Sequence, residues 1–506
     1  MKRKKELIVI LSSLLVIVLS VSVAYFTTKI LGTGKEISVE SADLKVIFTS
    51  GSGTINGSNI EPGWSSGENT FTVKNESNGT YKYNIIIKDL VNTFTTNGFL
   101  VYKITSTDGG YNMTDFADIP KSSTATDTIL AENISIEKGA THTYKIVINY
   151  NNSDDVDQSA DMGKTLSGKI FITKASNPTL ASKLLEDNPT ISTRTDFSTP
   201  FTTNTVNTLY KATENGTDVY YFAGQDTTST PINNWIKFGK NSSNQDLYWR
   251  IIRTNSDGGV RLLYHGTSTT ATDAYIGTSG FNTDYNSPKY VGYMYGDTDA
   301  TLEEARTNTN NSTIKTAIDN WYASNMTSYT KYLSTTAVYC NDRELASGET
   351  YSATSSSFYY AANTRLDANK TPTYDCTNDN DKFTIDASTG NGKLTYPIAL
   401  MTADEIAYAG GAITEDSPMW YYTNSSLESS TGTTEWWSLS PYSLNGRNAY
   451  SWIVNGSTDH GRFDGYSVDL SLGVRPAVSL KSCIKYSTGN GTSETPYEIV
   501  ETSSGC

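Results

Sequence analysis

Short alternating runs of apolar and polar residues cover the chain from Ser38 to about Thr173 and limit this region to β-structure. The runs Tyr83–Ile87 and Tyr144–Ile148 are typical, and turns rich in Gly, Asn and Ser separate such runs. No long helix is needed to account for the pattern. Because several short strands bury their apolar sides best as two packed sheets, we predict a jelly-roll-like β-sandwich over residues 35–174.

The composition points to an extracellular protein and argues against nucleic acid as a partner. The 506 residues exceed one typical domain, and the formal net charge of −14 leaves no basic surface to neutralise phosphates. Charged residues make up only 18%, whereas 34 Tyr and 38 Gly stand out, as in β-rich surface proteins. His142, His265 and His460 lie far apart in the sequence, so we expect no metal centre and no cofactor.

The first 34 residues are predicted to direct export. Lys2–Lys5 form a basic cluster, and the apolar run of residues 7–24 follows it, as in a signal peptide. Small side chains favour cleavage between Ala24 and Tyr25. The alternative is an uncleaved membrane anchor, because residues 7–24 come close to the length of a membrane span. In either case we expect the protein at the cell surface, membrane-anchored or secreted.

Export gives the four cysteines a structural meaning, because an even number in an oxidising compartment is typical of disulfides. Three pairings are open to four cysteines. Pairing neighbours in the sequence closes the shortest loops, so we predict Cys340 with Cys376 and Cys483 with Cys506. The alternatives are free thiols and a bond from Cys506 to a second molecule.

The character of the sequence changes after residue 174. Residues 175–205 combine a short helix-like piece with a stretch rich in Thr, Ser and Asn, which is typical of a linker. From residue 206 to 506, aromatic-rich strands, dense turns and one clear helix predict a second domain. That helix is expected over Thr313–Met326, with an apolar stripe formed by Ile314, Ile318, Trp321 and Tyr322. The predicted fold class is therefore mainly β with some α.

The leader and first domain contain four short motifs: Ala24–Phe26, Ser41–Leu44, Ile60–Gly63 and Phe71–Asn75. In these motifs the chain resembles the TasA/camelysin family of exported Gram-positive matrix proteins. The resemblance implies a jelly roll at the cell surface or in an extracellular matrix, with self-assembly by strand exchange. The protease activity described for camelysin relatives is not expected here, because the domain lacks an H-E-x-x-H motif and His142 is its only histidine.

The second domain contains an ordered series of motifs from Leu209 to Val500, which includes Tyr248–Arg253, Tyr396–Glu405, Gly489–Thr492, Trp436–Pro441 and Gly473–Val478. In this series the chain resembles a domain of exported Firmicute proteins marked by a Trp-Trp-x-x-Ser-Pro box. The last two motifs also resemble the closing strands of the C-type-lectin-like fold. That fold is shared by formylglycine-generating enzymes and by the variable proteins of diversity-generating retroelements. The resemblance implies an α+β lectin-like domain over residues 206–506.

The cysteine content near the two closing motifs distinguishes the enzymes of this fold from its binding proteins. The oxidase needs reactive cysteines near the final strands, and none lies between Trp436 and Ala477, so we do not expect an enzyme. A buried Arg475 would need a partner, for which Asp404 or Glu405 is the candidate. The residues expected to form the core framework are Trp436, Trp437, Pro441, Gly473, Arg475 and Pro476.

Side chains suited to recognition crowd the segment between the two closing motifs. Tyr offers rigid aromatic area, and Asn, Asp, Arg and His offer adaptable hydrogen bonds. Asn455-Gly456 predicts a hairpin turn, with Ala449, Trp452 and Val454 as the strand core. The predicted ligand contacts are Tyr442, Asn445, Arg447, Asn448, Tyr450, Asp459, His460, Arg462, Asp464 and Tyr466.

These residues predict an adhesin or receptor that recognises an extracellular glycan or protein. In its sharpest form, the hypothesis makes residues 442–471 the diversified region of a retroelement target. One alternative is that the cluster is ordinary polar surface. The other is a structural protein, a matrix or fibre subunit of the cell surface that assembles through the first domain.

Two groups of carboxylates offer weaker hypotheses. Asp404 and Glu405 would point to opposite faces of a strand, which does not suit the acid pair of a glycosidase. Asp375–Asp381 provides oxygen ligands at close spacing, but it lacks the glycine and the closing glutamate of a calcium loop.

Overall fold

The computed structural model describes residues 36–41, 44–50, 61–76, 80–175, 177–202, 204–270, 274–354, 357–413, 419–422, 435–455 and 462–506. The predicted leader, with Ala24 and Tyr25, lies outside these residues. The chain forms two compact units, Met1–Ser176 and Asn177–Cys506, and each is described by itself. Strands dominate and helices are few, so the predicted fold class, mainly β with some α, is confirmed.

The first unit contains two antiparallel sheets in its described residues. One has the strand order β1-β2-β4-β9-β6-β7, with β3 paired to β9, and the other has the order β10-β5-β8. The strands are β1 Glu36–Ser41, β2 Leu44–Ser50, β3 Trp64–Ser65, β4 Asn69–Asn75, β5 Tyr81–Asn92, β6 Leu100–Ser106, β7 Ala117–Asp118, β8 Ser122–Ile136, β9 Thr141–Tyr150 and β10 Leu166–Lys174.

The two sheets of the first unit share one apolar core. Side chains alternate between buried and exposed along β9, as the period of two in its sequence predicts. Phe71 of β4 and Tyr144 of β9 stack with ring centroids 4.9 Å apart. Tyr83 and Ile85 of β5 belong to the same cluster, so both sheets contribute their inner faces to it.

The second unit contains two large sheets among its described residues. One has the order β11-β12-β13-β15-β16-β28-β23, with β14 paired to β15, and the other has the order β17-β27-β24-β25-β26, with β21 paired to β24. Two-stranded pairs are formed by β18 with β19, β20 with β22 and β29 with β30. 

The strands of the second unit are β11 Thr190–Ser192, β12 Thr208–Glu214, β13 Thr217–Tyr221, β14 Trp235–Lys240, β15 Asp246–Thr254, β16 Val260–Gly266, β17 Thr278–Ser279, β18 Met294–Tyr295, β19 Asn310–Asn311, β20 Tyr339–Cys340, β21 Phe358–Tyr359, β22 Lys382–Phe383, β23 Ile398–Leu400, β24 Trp436–Asn445, β25 Asn448–Val454, β26 Phe463–Ser467, β27 Leu472–Gly473, β28 Pro476–Leu480, β29 Tyr486–Thr488 and β30 Glu498–Ile499. Its α-helices are Leu180–Asp187, Leu302–Ala305, Thr313–Asn325, Ala361–Asn363 and Ala403–Tyr408.

The helix Thr313–Asn325 confirms the prediction made from its apolar spacing, and it ends one residue earlier than expected. Ile314, Ile318 and Tyr322 are fully buried, and Trp321 packs beside them. The Ser312 side chain accepts a hydrogen bond from the Lys315 backbone N–H and so caps the first turn.

The segment 175–205, expected to be a linker, is largely part of the second unit. The helix Leu180–Asp187 buries Leu180 and Leu184 in that unit's core, and the Leu180 backbone N–H donates to the Ile484 carbonyl over 2.8 Å. Strand β11 then pairs in parallel with β12. The polar composition of the segment hid this packing, because only one side of such a short helix needs to be apolar.

The two expected disulfides, Cys340–Cys376 and Cys483–Cys506, are present. They fit an extracellular location, where such bonds form and persist. Within the part of the chain that the structure describes, no helix is both long and apolar enough to cross a membrane.

Candidate functional site

Three neighbouring strands, β24, β25 and β26, carry most of the predicted ligand contacts. The strands β24 and β25 form a hairpin whose last pair is Asn445 with Asn448, so Gly446 and Arg447 make the turn. On its other side β25 pairs antiparallel with β26. The chain reverses between β25 and β26, but Val454 pairs with Phe463, so the connection is longer than the hairpin turn that Asn455-Gly456 predicts, and residues 456–461 lie outside the described residues. Ala449, Trp452 and Val454 are buried, which confirms the predicted strand core.

The strand register sorts these side chains onto two faces. Residues directly opposite each other in a pair share a face, and neighbours along a strand alternate. Tyr450 lies opposite both Ser443 and Ser467, which places it on the same face as Asn445 and Asn448. Asp464 and Tyr466 lie opposite Ile453 and Ser451, and therefore on the other face. Asp459 and His460 lie outside the described residues.

A row of tyrosines covers the first of these faces. Tyr442 contacts Trp452 edge-on with centroids 4.6 Å apart, and Tyr359 of the neighbouring β21 contacts Tyr442 at 5.9 Å. The pairing of Tyr359 with Ser443 puts Tyr359 and Tyr450 on the same face. Tyr359 is 44% exposed, while Tyr442 and Tyr450 are half-buried. We call Tyr359, Tyr442 and Tyr450 the tyrosine face.

A glycine makes room for the central ring of the tyrosine face. A Cβ atom at Gly465 would lie 2.2 Å from a ring carbon of Tyr442, closer than side-chain atoms approach one another. The absence of a side chain at this position lets the Tyr442 ring lie over β26. Burial raises the pKa of Tyr442, and the Asp464 carboxylate raises it further, so the hydroxyl stays protonated and can donate a hydrogen bond.

The predicted contacts on the other face form a smaller polar group at the sheet edge. Arg462 and Asp464 form an ion pair of 3.3 Å, and each side chain is about one-third exposed. Tyr466 packs partly against the core. Arg447 stands apart from this pair, exposed in the turn between β24 and β25. The structure thus distributes the predicted contacts over two faces instead of one surface.

All six predicted framework residues are buried. Trp436 and Trp437 have no exposed area, and the Trp437 indole N–H donates to the Ser279 carbonyl over 2.8 Å. Pro441, Gly473 and Pro476 are likewise buried in their strands.

The predicted partner of Arg475 was wrong. The Arg475 guanidinium donates to the backbone carbonyls of Tyr421 and Tyr264, at 2.7 and 3.1 Å, and lies over the Trp436 ring. Asp404 and Glu405 bind other arginines. A buried guanidinium carries five N–H donors, and backbone carbonyls accept hydrogen bonds from several of those of Arg475.

The expectation that Asp404 and Glu405 lie on a strand was also wrong. They occupy the first turn of the helix Ala403–Tyr408, where Thr402 and Glu405 form a reciprocal capping box. One Glu405 oxygen accepts from Arg253 at 2.9 Å and from Arg261 at 2.8 Å. Burial alone would raise the pKa of Glu405, but Arg261 and Arg253 outweigh it and hold the pKa below its usual value.

Sequence reasoning missed the buried ion network around Glu405. Burial acts to raise the pKa of Glu214, but Arg253 and Arg261 lower it to about 2. Asp404 pairs with Arg365 at 2.7 Å. The network lines a small polar cavity of about 20 Å³. A usable signal was present, since β15 and β16 carry arginines inside otherwise apolar strands, where an unpaired charge is not tolerated.

The carboxylates of Asp375–Asp381 have protein partners. Asp381 is buried and accepts from Arg343 at 2.6 Å, and Asp375 accepts from the Asn215 backbone N–H at 2.6 Å. Across the described residues, no group of three or more His, Cys, Asp or Glu side chains is placed to hold a metal ion.

No protein-family model, curated protein or solved structure matches this chain. The tyrosine face and the polar group beside it are therefore interpreted from their own geometry.

Proposed function

We propose that this protein is an exported cell-surface adhesin or receptor whose second unit binds an extracellular glycan or protein through the tyrosine face. The observation that supports the proposal is the partly exposed row Tyr359, Tyr442 and Tyr450 on one sheet face, where Gly465 makes room for the Tyr442 ring. Strand pairing fixes the backbone of these tyrosines, and contacts with Trp452 and Tyr359 hold the Tyr442 ring in advance. A ligand then loses little affinity to the ordering of side chains.

The chemistry of this face suits recognition rather than catalysis. Tyrosine combines apolar ring area with a hydroxyl that donates and accepts hydrogen bonds. Asn445 and Asn448 add amide groups at the hairpin end of the same face. The carboxylate first considered for hydrolysis, Glu405, is buried and is bound by two arginines. The proposed activity is therefore binding.

The proposal extends to the identity of the domains. We propose that the second unit is a C-type-lectin-like domain and that the first is a TasA-like sandwich that attaches or assembles the protein. In its sharpest form, residues 442–471 are the diversified region of a retroelement target. The gene would then lie beside a reverse transcriptase gene and a near-copy of its own 3′ segment. A genomic neighbourhood without both contradicts this extension and leaves the binding proposal standing.

The existence of a ligand is tested by measuring binding of the full chain to a panel of glycans and of host and bacterial surface proteins. We expect selective, saturable binding to one class. Uniformly weak binding to every member would contradict the proposal. 

One structural observation favours the alternative, a matrix or fibre subunit. The 15-residue strand β8 lies at the edge of its three-stranded sheet, and it exposes Ile129 by 51%. Such an edge can accept a strand from a second copy. The several register shifts between β8 and β5 oppose this, because bulges twist an edge away from further pairing. Size-exclusion chromatography separates the two functions: a subunit elutes as polymers, and a receptor elutes as a discrete species.

A further inference from the structure

A second, separate concavity lies beside the helix Thr313–Asn325. We call it the helix groove. It has a volume of about 510 Å³, within the range of small-ligand sites. The loop of residues 282–284 and Tyr295 form its walls together with one side of the helix. None of the tyrosine-face residues lines it, so whether the groove binds a ligand does not depend on the function proposed above.

The helix turns a polar, small-residue side toward this groove. Thr313, Thr316, Ala317 and Asn320 line it, at the i, i+3, i+4 and i+7 spacing of one helix face. The apolar stripe of the same helix, which contains Ile314 and Ile318, packs into the core of the unit. Thr316 and Asn320 are exposed, so these four residues are not needed to fill the core. Their short side chains leave a trough along the helix.

The lining of the groove is hydrogen-bonding and almost uncharged. Hydroxyl and amide side chains predominate, and Asp284 is the one charged residue among the described residues that line it. A lining without Lys or Arg gives no attraction to phosphate or sulfate groups. Its apolar surface comes from Ala317, the Tyr295 ring and threonine methyl groups, and it has no large aliphatic side chain to pack against the side chains of a peptide. These properties favour a neutral, hydroxyl-rich ligand.

Tyr295 supplies an aromatic wall that its neighbours hold in place. Tyr290 contacts its ring edge-on with centroids 5.3 Å apart, and the Lys289 ammonium lies 5.8 Å from the Tyr295 centroid. A fixed tyrosine ring pairs apolar area with a polar tip, which suits a pyranose ring with its apolar face and hydroxyl rim.

The opposite wall is equally fixed. The Asn282 backbone N–H donates to the Val468 carbonyl over 3.0 Å, and the Ala449 backbone N–H donates to the Tyr285 carbonyl over 2.8 Å. Thr283 is bound to the Thr313 hydroxyl through its backbone N–H at 3.0 Å. The loop is thus attached both to the large sheet and to the helix, and the groove is preformed.

From this arrangement we propose that the helix groove is a binding site for a neutral oligosaccharide. The Tyr295 ring packs against a sugar ring. The amides of Asn311 and Asn320, both exposed at the groove, bind sugar hydroxyls, with Asp284 as the acceptor.

The proposal is tested by titration calorimetry of the full chain with neutral oligosaccharides built from glucose, mannose, galactose or N-acetylglucosamine. The diagnostic variant is Thr316→Arg, which places a long cation in the trough. The matched control is Thr327→Arg, another exposed threonine, which lies two residues beyond the end of the helix and outside the groove. We expect at least one sugar series to bind saturably, with affinity reduced at least about tenfold by Thr316→Arg and changed less than about twofold by Thr327→Arg.

Two results would overturn the helix groove as a sugar site. One is the absence of saturable binding of any series up to about 10 mM. The other is unchanged affinity in Thr316→Arg. A Tyr359→Ala/Tyr450→Ala variant distinguishes the two proposed sites. If this variant loses sugar binding while Thr316→Arg keeps it, the sugar binds at the tyrosine face and the groove proposal is refuted. Loss in Thr316→Arg alone supports the groove whatever the tyrosine face binds.

Discussion

His142 shows how one buried side chain can make the first unit sensitive to pH. Its Nδ1 atom lies 2.9 Å from the Tyr83 hydroxyl, and the Tyr83 hydroxyl in turn contacts that of Tyr144. Burial lowers the pKa of His142, although the Asp108 carboxylate acts in the opposite direction. The neutral imidazole is therefore favoured in the folded unit more than in the unfolded chain.

The sign of the pH effect follows from this depressed pKa. The unfolded chain binds the proton first as the pH falls below about 6.5, so the contribution of His142 is full above that pH and is lost below it. The loss is no steeper than about 1.4 kcal/mol per pH unit. Thermal unfolding at pH 7 and pH 5 should show a smaller difference for His142→Gln than for the parent chain. Equal differences in the two proteins would show that His142 has an ordinary pKa when folded.

Gly465 is the residue on which the shape of the tyrosine face depends most directly. Gly465→Ala would place a methyl carbon 2.2 Å from a ring carbon of Tyr442, so the ring or β26 must then shift. We expect a loss of about 1–3 kcal/mol in the free energy of unfolding, the usual cost of overpacking. Denaturant unfolding of Gly465→Ala measures this loss. Tyr442→Phe, which keeps the ring and removes only the hydroxyl, is the comparison variant. Unchanged stability in Gly465→Ala would mean that the ring is not fixed at β26.

At the scale of elements, the helix Ala403–Tyr408 is joined to the central strands by Glu405. Its carboxylate caps the helix through the Thr402 backbone N–H at 3.0 Å and binds Arg253 of β15 and Arg261 of β16. Removing its charge leaves two buried guanidinium groups with less compensation, so Glu405→Gln should lower the free energy of unfolding by about 3–5 kcal/mol. Chemical denaturation tests this prediction. The exposed carboxylate Glu303 provides the control, since Glu303→Gln should change stability by less than about 0.5 kcal/mol.

The same elements show how far the sequence leads. The helix Thr313–Asn325 was predictable because its apolar spacing and its buried stripe coincide. The disulfides were predictable because export and short loops favour neighbouring pairs. Asp404 and Glu405 were misplaced because the strand before them ends at Leu400, and Thr402 then caps a helix that contains both carboxylates.

Strand register set the limit for the candidate site. Whether Tyr450 and Tyr466 share a face depends on which residues pair across β25 and β26, and a shift of one residue would reverse the answer. The recognition residues could be predicted from the sequence, but the pairing register of β25 and β26 could not. Tyr359 was missed altogether, because it comes from β21, about eighty residues earlier in the chain.

At the scale of the whole molecule, we propose above all that the second unit recognises an extracellular ligand through the tyrosine face. The two disulfides fit an extracellular location. Nothing in this claim requires the polar group of Arg462 and Asp464 on the other face to contact the ligand.

The most direct measurement is the affinity of the full chain and its variants for whichever panel member it binds. Tyr359→Ala/Tyr450→Ala removes two of the three rings of the tyrosine face, and Tyr248→Ala removes a half-buried strand tyrosine of the other large sheet. We predict an affinity loss of at least about 2 kcal/mol, some thirtyfold, for the double variant and almost none for Tyr248→Ala. Full affinity in the double variant would contradict the claim, and loss of affinity in Arg462→Ala/Tyr466→Ala would then move the site to the opposite face.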